Sequence, residues 1–216
     1  MAQTRIYTDA AFPADLEWQA VSFIRIEWPF AFGGAKRLGR RVRTEHDPVH
    51  ETIAHVVIEE QRVLMSYATI IGTRIVHQHE TYQAYGLSSV FTYPQFRGEG
   101  WGKQLVQTAT HHILTREDAD IGILFCQPPL ISFYVQCGWH GIEGVPTLVG
   151  MPEAPTLHGS QRMMRFISPK GQAGRGKQTG DVCPVCRQGR MQLVKTYYRH
   201  RAAWDLSIAI PDMDTS

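Results

Sequence analysis

A glycine-rich turn between a strand and a helix places the strongest constraint on this chain. The segment Arg97-Gly98-Glu99-Gly100-Trp101-Gly102 follows a β-type run that ends near Tyr93, and it precedes a segment with apolar residues at helical spacing. A helix start leaves backbone N–H groups unpaired and partly positive, and glycines allow an anion close to them. Arg97 and Lys103 add formal positive charge. The pattern therefore predicts a phosphate-binding turn, with a plain loop before a helix as the alternative.

Two other phosphate motifs fit this turn poorly. A Walker loop requires Ser or Thr after its Gly-Lys pair, but Gly102-Lys103 is followed by Gln104. A dinucleotide fingerprint requires G-x-G-x-x-G inside a βαβ unit. The spacing of these glycines differs from that pattern, and the preceding strands are predicted to be antiparallel.

The periodicity elsewhere predicts the fold class. Three β-branched segments, 50–58, 63–76 and 81–93, are linked by short polar turns, which is typical of an antiparallel meander. Gly72 is predicted to mark a bulge or bend. The remaining elements are strands at 5–7, 121–126 and 163–167 and helices that follow residues 13, 102 and 130. We therefore expect an α/β (α+β) fold: a central mixed, mostly antiparallel sheet flanked by helices, with a short C-terminal appendage.

The composition changes after Ser168. Residues 1–168 are predicted to form one domain, 169–181 a flexible linker rich in Gly, Lys and Gln, and 182–216 a tail with a single C-x-x-C. Alternating apolar residues in the tail could pack on the domain or on a partner protomer, so a homodimer stays open. The tail offers Cys183, Cys186 and His200 as zinc ligands. A structural zinc site needs four ligands and no second C-x-x-C exists, so the sequence predicts no metal site.

Composition narrows the partners and the compartment. The net charge of +2 gives no electrostatic case for a nucleic-acid or membrane partner. No run approaches the roughly 18 to 20 apolar residues that span a bilayer, and the N-terminus lacks a secretory pattern. Four cysteines in a chain this long do not form a disulfide framework. The sequence predicts a cytoplasmic protein.

Residues 90–105 resemble the cofactor motif of the GNAT superfamily of N-acetyltransferases. In that family a bulged strand contacts the pantetheine arm of acetyl-CoA and a Q/R-x-x-G-x-G/A turn holds the pyrophosphate. Residues 127–139 resemble the family's N-x-x-A-x-x-x-Y-x-x-x-G-F segment, and the resemblance extends over about residues 3–168. It implies acetyl-CoA as co-substrate and an N-acetyltransferase (acyltransferase) activity. The cofactor-binding residues it implies are Val90, Phe91, Thr92, Arg97, Gly98, Glu99, Gly100, Trp101, Gly102, Lys103 and Gln127.

The resemblance implies a general acid but supplies no general base. Tyr134 falls where the family places a tyrosine near the cofactor sulfur, and a phenol with a pKa of about 10 can protonate a departing thiolate. Many members carry a glutamate just before the pantetheine segment, whereas residues 85–89 contain no carboxylate. Glu80, His79 or His77 could act as base through water, and Ser88 could hold that water. The pattern favours a solvated turn residue over a base at Glu80, His79 and His77.

The acceptor is predicted to be a primary amine on a small molecule. Residues 133–139 and 144–147 are loosely similar to the aminoglycoside 2′-N-acetyltransferase branch, which makes an aminoglycoside-like acceptor one option. Five basic residues in 35–43 favour instead an anionic substrate or the 3′-phosphate of the cofactor, with a solvated loop as the alternative. A protein or peptide N-acetyltransferase and a non-catalytic acyl-CoA-binding module are the competing functions.

Overall fold

A computed structural model describes residues 1–28, 50–77, 80–142, 148–151, 154–157 and 159–176 of the chain. The helices are α1 (Ala14–Glu27), α2 (Trp101–Leu114), α3 (Ile131–Gln136) and α4 (Pro169–Gly176). The strands are β1 (Gln3–Tyr7), β2 (His50–Glu60), β3 (Val63–His77), β4 (Glu80–Thr92), β5 (Ile121–Cys126), β6 (His140–Gly141), β7 (Leu148–Met151), β8 (Ala154–Leu157) and β9 (Gln161–Phe166).

Within the described ranges, seven strands form one sheet in the order β1-β2-β3-β4-β5-β9-β6. Pairing is antiparallel throughout except between β4 and β5, which run parallel. Strands β7 and β8 form a separate antiparallel pair. The predicted fold, a mixed and mostly antiparallel sheet flanked by helices, is confirmed.

Both faces of the sheet are buried, because successive side chains of a strand point to opposite sides. On β2, Val56 and Ile58 pack in the cluster that includes α2 and α3, whereas Val57 packs with α1. All three side chains are fully buried. We refer below to the α2 face and the α1 face of the sheet.

The prediction of a bulge at Gly72 is wrong. Gly72 pairs in regular register with Glu51 on β2 and Tyr85 on β4, and the irregularity lies at Ile53 on the neighbouring strand. A Cβ at Gly72 would lie 2.9 Å from Tyr85 Cε1 and 3.0 Å from Ile53 Cδ1. The glycine is needed because two large side chains close over its backbone.

The structure also differs from the predicted linker over 169–181. Residues Pro169–Gly176 form α4, and the hydroxyl of Ser168 accepts a hydrogen bond from the Gly171 amide (3.0 Å) and donates one to Asp120 Oδ1 (2.6 Å). A Cβ at Gly171 would collide with the Asp120 carbonyl oxygen, so glycine permits close docking there. This helix therefore extends eight residues beyond the predicted boundary at 168. Residues 177–181 and the tail 182–216 lie outside the described ranges.

Candidate functional site

The glycine-rich turn forms the start of α2. Gly98 and Gly100 have φ angles of 88° and 87°, which side-chain-bearing residues rarely adopt. A Cβ built on either glycine meets nothing within 4 Å, so this side of the turn is open. Gly102 is different: its Cβ would lie 3.2 Å from Thr92 Oγ1, so glycine allows α2 to sit close against β4.

The first turn of α2 presents unpaired amides at that opening. The first helical hydrogen bond runs from the Gln104 amide to the Gly100 carbonyl (3.0 Å). Among the described residues, none accepts from the amides of Trp101, Gly102 or Lys103, and no side chain caps the helix. Exposed Lys103 adds positive charge. Free N–H groups, the helix dipole and this cation together suit an anion.

Strand β4 carries a bulge where the resemblance requires one. Tyr67 pairs with Phe91 and Thr69 with Ser88, so Ala68 alone lies opposite both Ser89 and Val90. Ser89 has a φ of 51°, which is left-handed for a non-glycine residue. The extra residue turns the strand after Ser88 and changes which backbone groups face the next strand.

Strands β4 and β5 separate after Gly86, shortly before the bulge at Ser89 and Val90. Their parallel ladder covers only Ala84–Gly86 on β4 and Ile121–Ile123 on β5. Past that point, in the described chain, β4 pairs only with β3 and β5 only with β9. Because the strands are parallel, the gap opens toward both carboxyl ends, where the turn at 97–102 follows β4. This gap, which we call the groove, therefore leads toward the glycine-rich turn.

Tyr134 lies near the carboxyl end of β5. It lies on α3, is buried, and has Cys126 at the end of β5 and Cys137 as close neighbours. Burial raises the pKa of Tyr134 well above its usual value, and the neighbouring thiols act in the same direction. Its hydroxyl bonds no group among the described residues. The phenol therefore stays protonated and can donate.

Residues 20–142, more than half of the chain, match the family model described as an acetyltransferase (GNAT) domain. The chain belongs to the GNAT acetyltransferase family. The turn at 97–102 and the bulge at Ser89 and Val90 lie in or beside residues 90–105, which carry the resemblance to this family.

Solved structures agree with this GNAT assignment at the level of the fold. An acyl-CoA N-acyltransferase from Pseudomonas aeruginosa matches with a TM-score of 0.50 and 16% identity, over 76% of this chain and 99% of that chain. NAA60 from Arabidopsis thaliana, in complex with acetyl-CoA, matches with a TM-score of 0.53 and 12% identity, over 77% and 100%. At these identities the likeness concerns the fold alone. No curated protein matches the sequence.

Several predicted cofactor residues have their side chains engaged within the GNAT domain. Phe91 stacks on Phe23 of α1 at 4.3 Å between ring centroids, and the Thr92 hydroxyl lies 2.8 Å from Ser66 Oγ. Val90 packs on the α2 face. These residues can therefore offer a ligand mainly backbone groups, in keeping with the role that the resemblance implies.

Two charged residues of the turn make hydrogen bonds that stabilise it. Arg97 Nε donates to the Thr92 carbonyl (2.9 Å), and Glu99 Oε2 accepts from Trp101 Nε1 (2.9 Å). Gln127 follows β5 and is exposed, and its amide donates to Ser160 Oγ (3.3 Å). Arg97 is also an exposed residue.

The candidate base Glu80 and the candidate water-holding residue Ser88 fall at different places. Ser88 is half-buried on β4, immediately before the bulge and opposite Thr69. Glu80 begins β4, six residues before Gly86, which is about 20 Å along an extended strand. Its carboxylate accepts from Tyr82 (3.3 Å). The structure brings Ser88 to the groove and does not bring Glu80 there. His79 and the side chain of His77 lie outside the described part.

A buried polar chain near Ser88 was missed by sequence reasoning. His55 Nε2 lies 3.1 Å from Asp9 Oδ1, and His55 Nδ1 lies 2.8 Å from the Tyr67 hydroxyl. Thr69 Oγ1 donates to the same hydroxyl (2.9 Å). One sequence signal could have found it. Side chains alternate between the two faces of a strand, and apolar residues are the norm at positions that face the core, yet the residues at such positions of β2 and β3 include His55, Tyr67 and Thr69.

Metal and membrane features are absent from the described ranges. No group of three or more His, Cys, Asp or Glu side chains there could hold a metal ion, and Cys183, Cys186 and His200 lie outside those ranges. Similarly, none of the described helices has the length and apolar character needed to cross a bilayer.

Proposed function

We propose that this GNAT domain transfers an acetyl group directly from acetyl-CoA to a primary amine. The observation that carries the proposal is the combination of an open helix start, with free amides behind two left-handed glycines, and a groove that runs from it between β4 and β5. A diphosphate fits the first feature and an extended arm with amide groups fits the second.

Two segments of this domain bind different parts of acetyl-CoA. The amides of residues 101–103 and the charge of Lys103 hold the pyrophosphate. The backbone of Val90 to Thr92 pairs with the pantetheine arm, much as an added strand would pair with an open edge. Acetyl-CoA supplies an acetyl group that is already activated as a thioester.

Tyr134 is proposed as the general acid. Its raised pKa keeps the proton on the phenol until a strong base develops beside it, and a departing thiolate is such a base. Burial excludes competing water from this proton transfer. Its position beside Cys126, at the end of β5, supports a role at the sulfur end of the groove.

The acceptor is proposed to be a small molecule with a primary amine, and an aminoglycoside-like amine is included on the strength of residues 133–139. A protein or peptide amine is the second candidate. The lack of a carboxylate in residues 85–89 favours a third candidate, a binding module without catalysis.

The location is proposed to be the cytoplasm. Cys126 and Cys137 are buried free thiols, which supports a reducing, cytoplasmic location.

A paired binding and turnover experiment tests the proposal. Calorimetry measures acetyl-CoA affinity, and release of free thiol measures turnover with an aminoglycoside, an amino sugar, a polyamine and a peptide with a free N-terminus. Turnover with one of the first three supports the proposal, and turnover with the peptide alone moves the acceptor to the second candidate. Binding without turnover on any amine establishes the module, and absence of acetyl-CoA binding overturns the assignment of the site.

A further inference from the structure

The polar chain on the α1 face has a direction. Asp9 is a carboxylate and only accepts hydrogen bonds, so His55 carries its proton on Nε2 and leaves Nδ1 as an acceptor. The Tyr67 hydroxyl then donates to Nδ1, and Thr69 Oγ1 donates to Tyr67. Every proton in the chain therefore points from Thr69 toward Asp9.

The polar chain leads from Thr69, which lies beside Ser88 of β4, to solvent. Thr69 is half-buried and pairs with Ser88, the residue before the β4 bulge, so the two hydroxyl side chains share one face of the sheet. Tyr67 and His55 are buried, with the His55 ring stacked on Phe12 at 4.2 Å. At the other end, the Asp9 side chain is 56% exposed, so a proton that reaches it can leave to water.

The polar chain of hydrogen-bonded side chains and Tyr134 lie on opposite faces of the sheet. Tyr67 packs with α1, whereas Tyr134, which lies on α3, packs in the cluster that includes α2. The last pair between β4 and β5 is Gly86 with Ile123, so the groove opens two residues before Ser88. An amine that approaches from the α1 face meets Ser88 and Thr69, while the sulfur side of the groove faces Tyr134.

We propose that Thr69, Tyr67, His55 and Asp9 form the proton relay that replaces the missing carboxylate base of this enzyme. The inference rests on the proposed function. The ammonium form of the acceptor first gives one proton to Thr69 Oγ1, and the free amine then bonds the acetyl carbon as the carbon–sulfur bond breaks and loses its second proton to water. The hydroxyl protons shift along the chain to His55 Nδ1, and the resulting imidazolium releases its proton to Asp9 and solvent. The thiolate takes its proton from Tyr134, which is reprotonated from water.

The groups around His55 allow it to act as the final acceptor. Burial lowers the pKa of His55, and hydrogen bonding and charge from Asp9 oppose that shift. The negative charge of Glu17 on α1 also opposes the lowering of the His55 pKa. Tyr7 pairs with His55 across β1 and β2. The imidazole is therefore neutral at pH 7, and the two carboxylates stabilise the imidazolium when it forms.

The test compares two tyrosines that each lose one hydroxyl. Tyr67→Phe cuts the relay, whereas Tyr93→Phe removes a hydroxyl of the same aromatic cluster that donates to the Gln19 carbonyl (2.6 Å) and lies outside the relay. We expect kcat to fall about 10²-fold in Tyr67→Phe and less than about 2-fold in Tyr93→Phe, with acetyl-CoA affinity unchanged in both. His55→Gln, which can hold both hydrogen bonds but takes no proton, should match Tyr67→Phe.

A pH profile separates relay loss from structural damage. The deficit of Tyr67→Phe should shrink as the pH approaches the pKa of the amine, because the free amine then needs no base. A deficit that is constant with pH, or equal rates for the two variants, overturns the relay and leaves the proposed function standing. If the wild type binds acetyl-CoA but turns over no amine, the proposed function fails instead.

Nitrogen NMR of His55 in the free protein measures which ring nitrogen carries the proton, and it tests the relay independently of turnover. A neutral ring at pH 7 with its proton on Nε2 is expected. A proton on Nδ1, or an imidazolium at pH 7, would break the direction of the chain and refute the inference even if the enzyme is active.

Discussion

The charge environment at Gly100 offers the sharpest test of the phosphate turn. Asn and Asp both tolerate the left-handed conformation that Gly100 adopts, and a Cβ there meets nothing within 4 Å. Gly100→Asn and Gly100→Asp therefore have nearly the same shape and the same backbone cost. They differ by one negative charge at the mouth of the proposed diphosphate site.

The size of the effect follows from Coulomb's law. A carboxylate about 5 Å from a diphosphate with about two negative charges costs about 1.7 kcal/mol in bulk-water dielectric and about 3 kcal/mol at half that dielectric. Gly100→Asp should therefore bind acetyl-CoA roughly 20-fold to 150-fold more weakly than Gly100→Asn. The ratio should shrink at high salt, because the Debye length falls from about 10 Å at 0.1 M to about 3 Å at 1 M.

Calorimetry with acetyl-CoA and with S-acetylpantetheine, which has no diphosphate, completes the design. The ratio between the two variants should be large with the first ligand and close to one with the second, and thermal unfolding should confirm that both variants are equally folded. Equal affinities of the variants for acetyl-CoA, or the same ratio with both ligands, would refute the placement of the diphosphate at this turn.

Three further outcomes can be checked. Tyr134→Phe should lower kcat by about 10²-fold with unchanged acetyl-CoA affinity by calorimetry, and an unchanged rate rejects the acid role. Gly72→Ala should lower the free energy of unfolding by about 1–3 kcal/mol in denaturant titrations, because its Cβ would meet Tyr85 and Ile53 at about 3 Å, whereas Gly159→Ala in open space should stay within about 0.5 kcal/mol. Burial raises the pKa of Cys126 to about 11, so only on the order of 0.1% is thiolate at pH 8. Its alkylation, followed by peptide mass mapping, should speed up about tenfold per pH unit from pH 8 to 10, and a plateau near pH 9 contradicts this.

Local patterns made much of the fold predictable. The alternation in β2, β3 and β4 and the helical spacing after Gly102 depend on residues close in sequence, and the observed strands follow them to within a few residues. The two left-handed glycines likewise follow from residue type, since Gly98 and Gly100 adopt backbone angles that favour glycine over other residues.

Other features depend on contacts between distant residues. Gly72 looked like a bulge in isolation, but its role is set by Tyr85 and Ile53 on the neighbouring strands. Residues 169–176 looked like a linker because they contain little apolar area, yet Ser168 and Asp120 anchor them as a helix. Neither outcome follows from local composition, because the deciding partner comes from another strand or from the end of one.

By itself, the sequence determined the strand–turn–helix that suits a diphosphate, since left-handed glycines and a helix start are local properties. Only the tertiary structure decided that Asp9, His55 and Tyr67 form a polar chain. Asp9 and His55 are 46 residues apart and His55 and Tyr67 are 12 apart, and their contact requires the register of three strands. Hydrogen bonds of about 3 Å depend on that register, because a shift of one residue would move each side chain to the other face of the sheet.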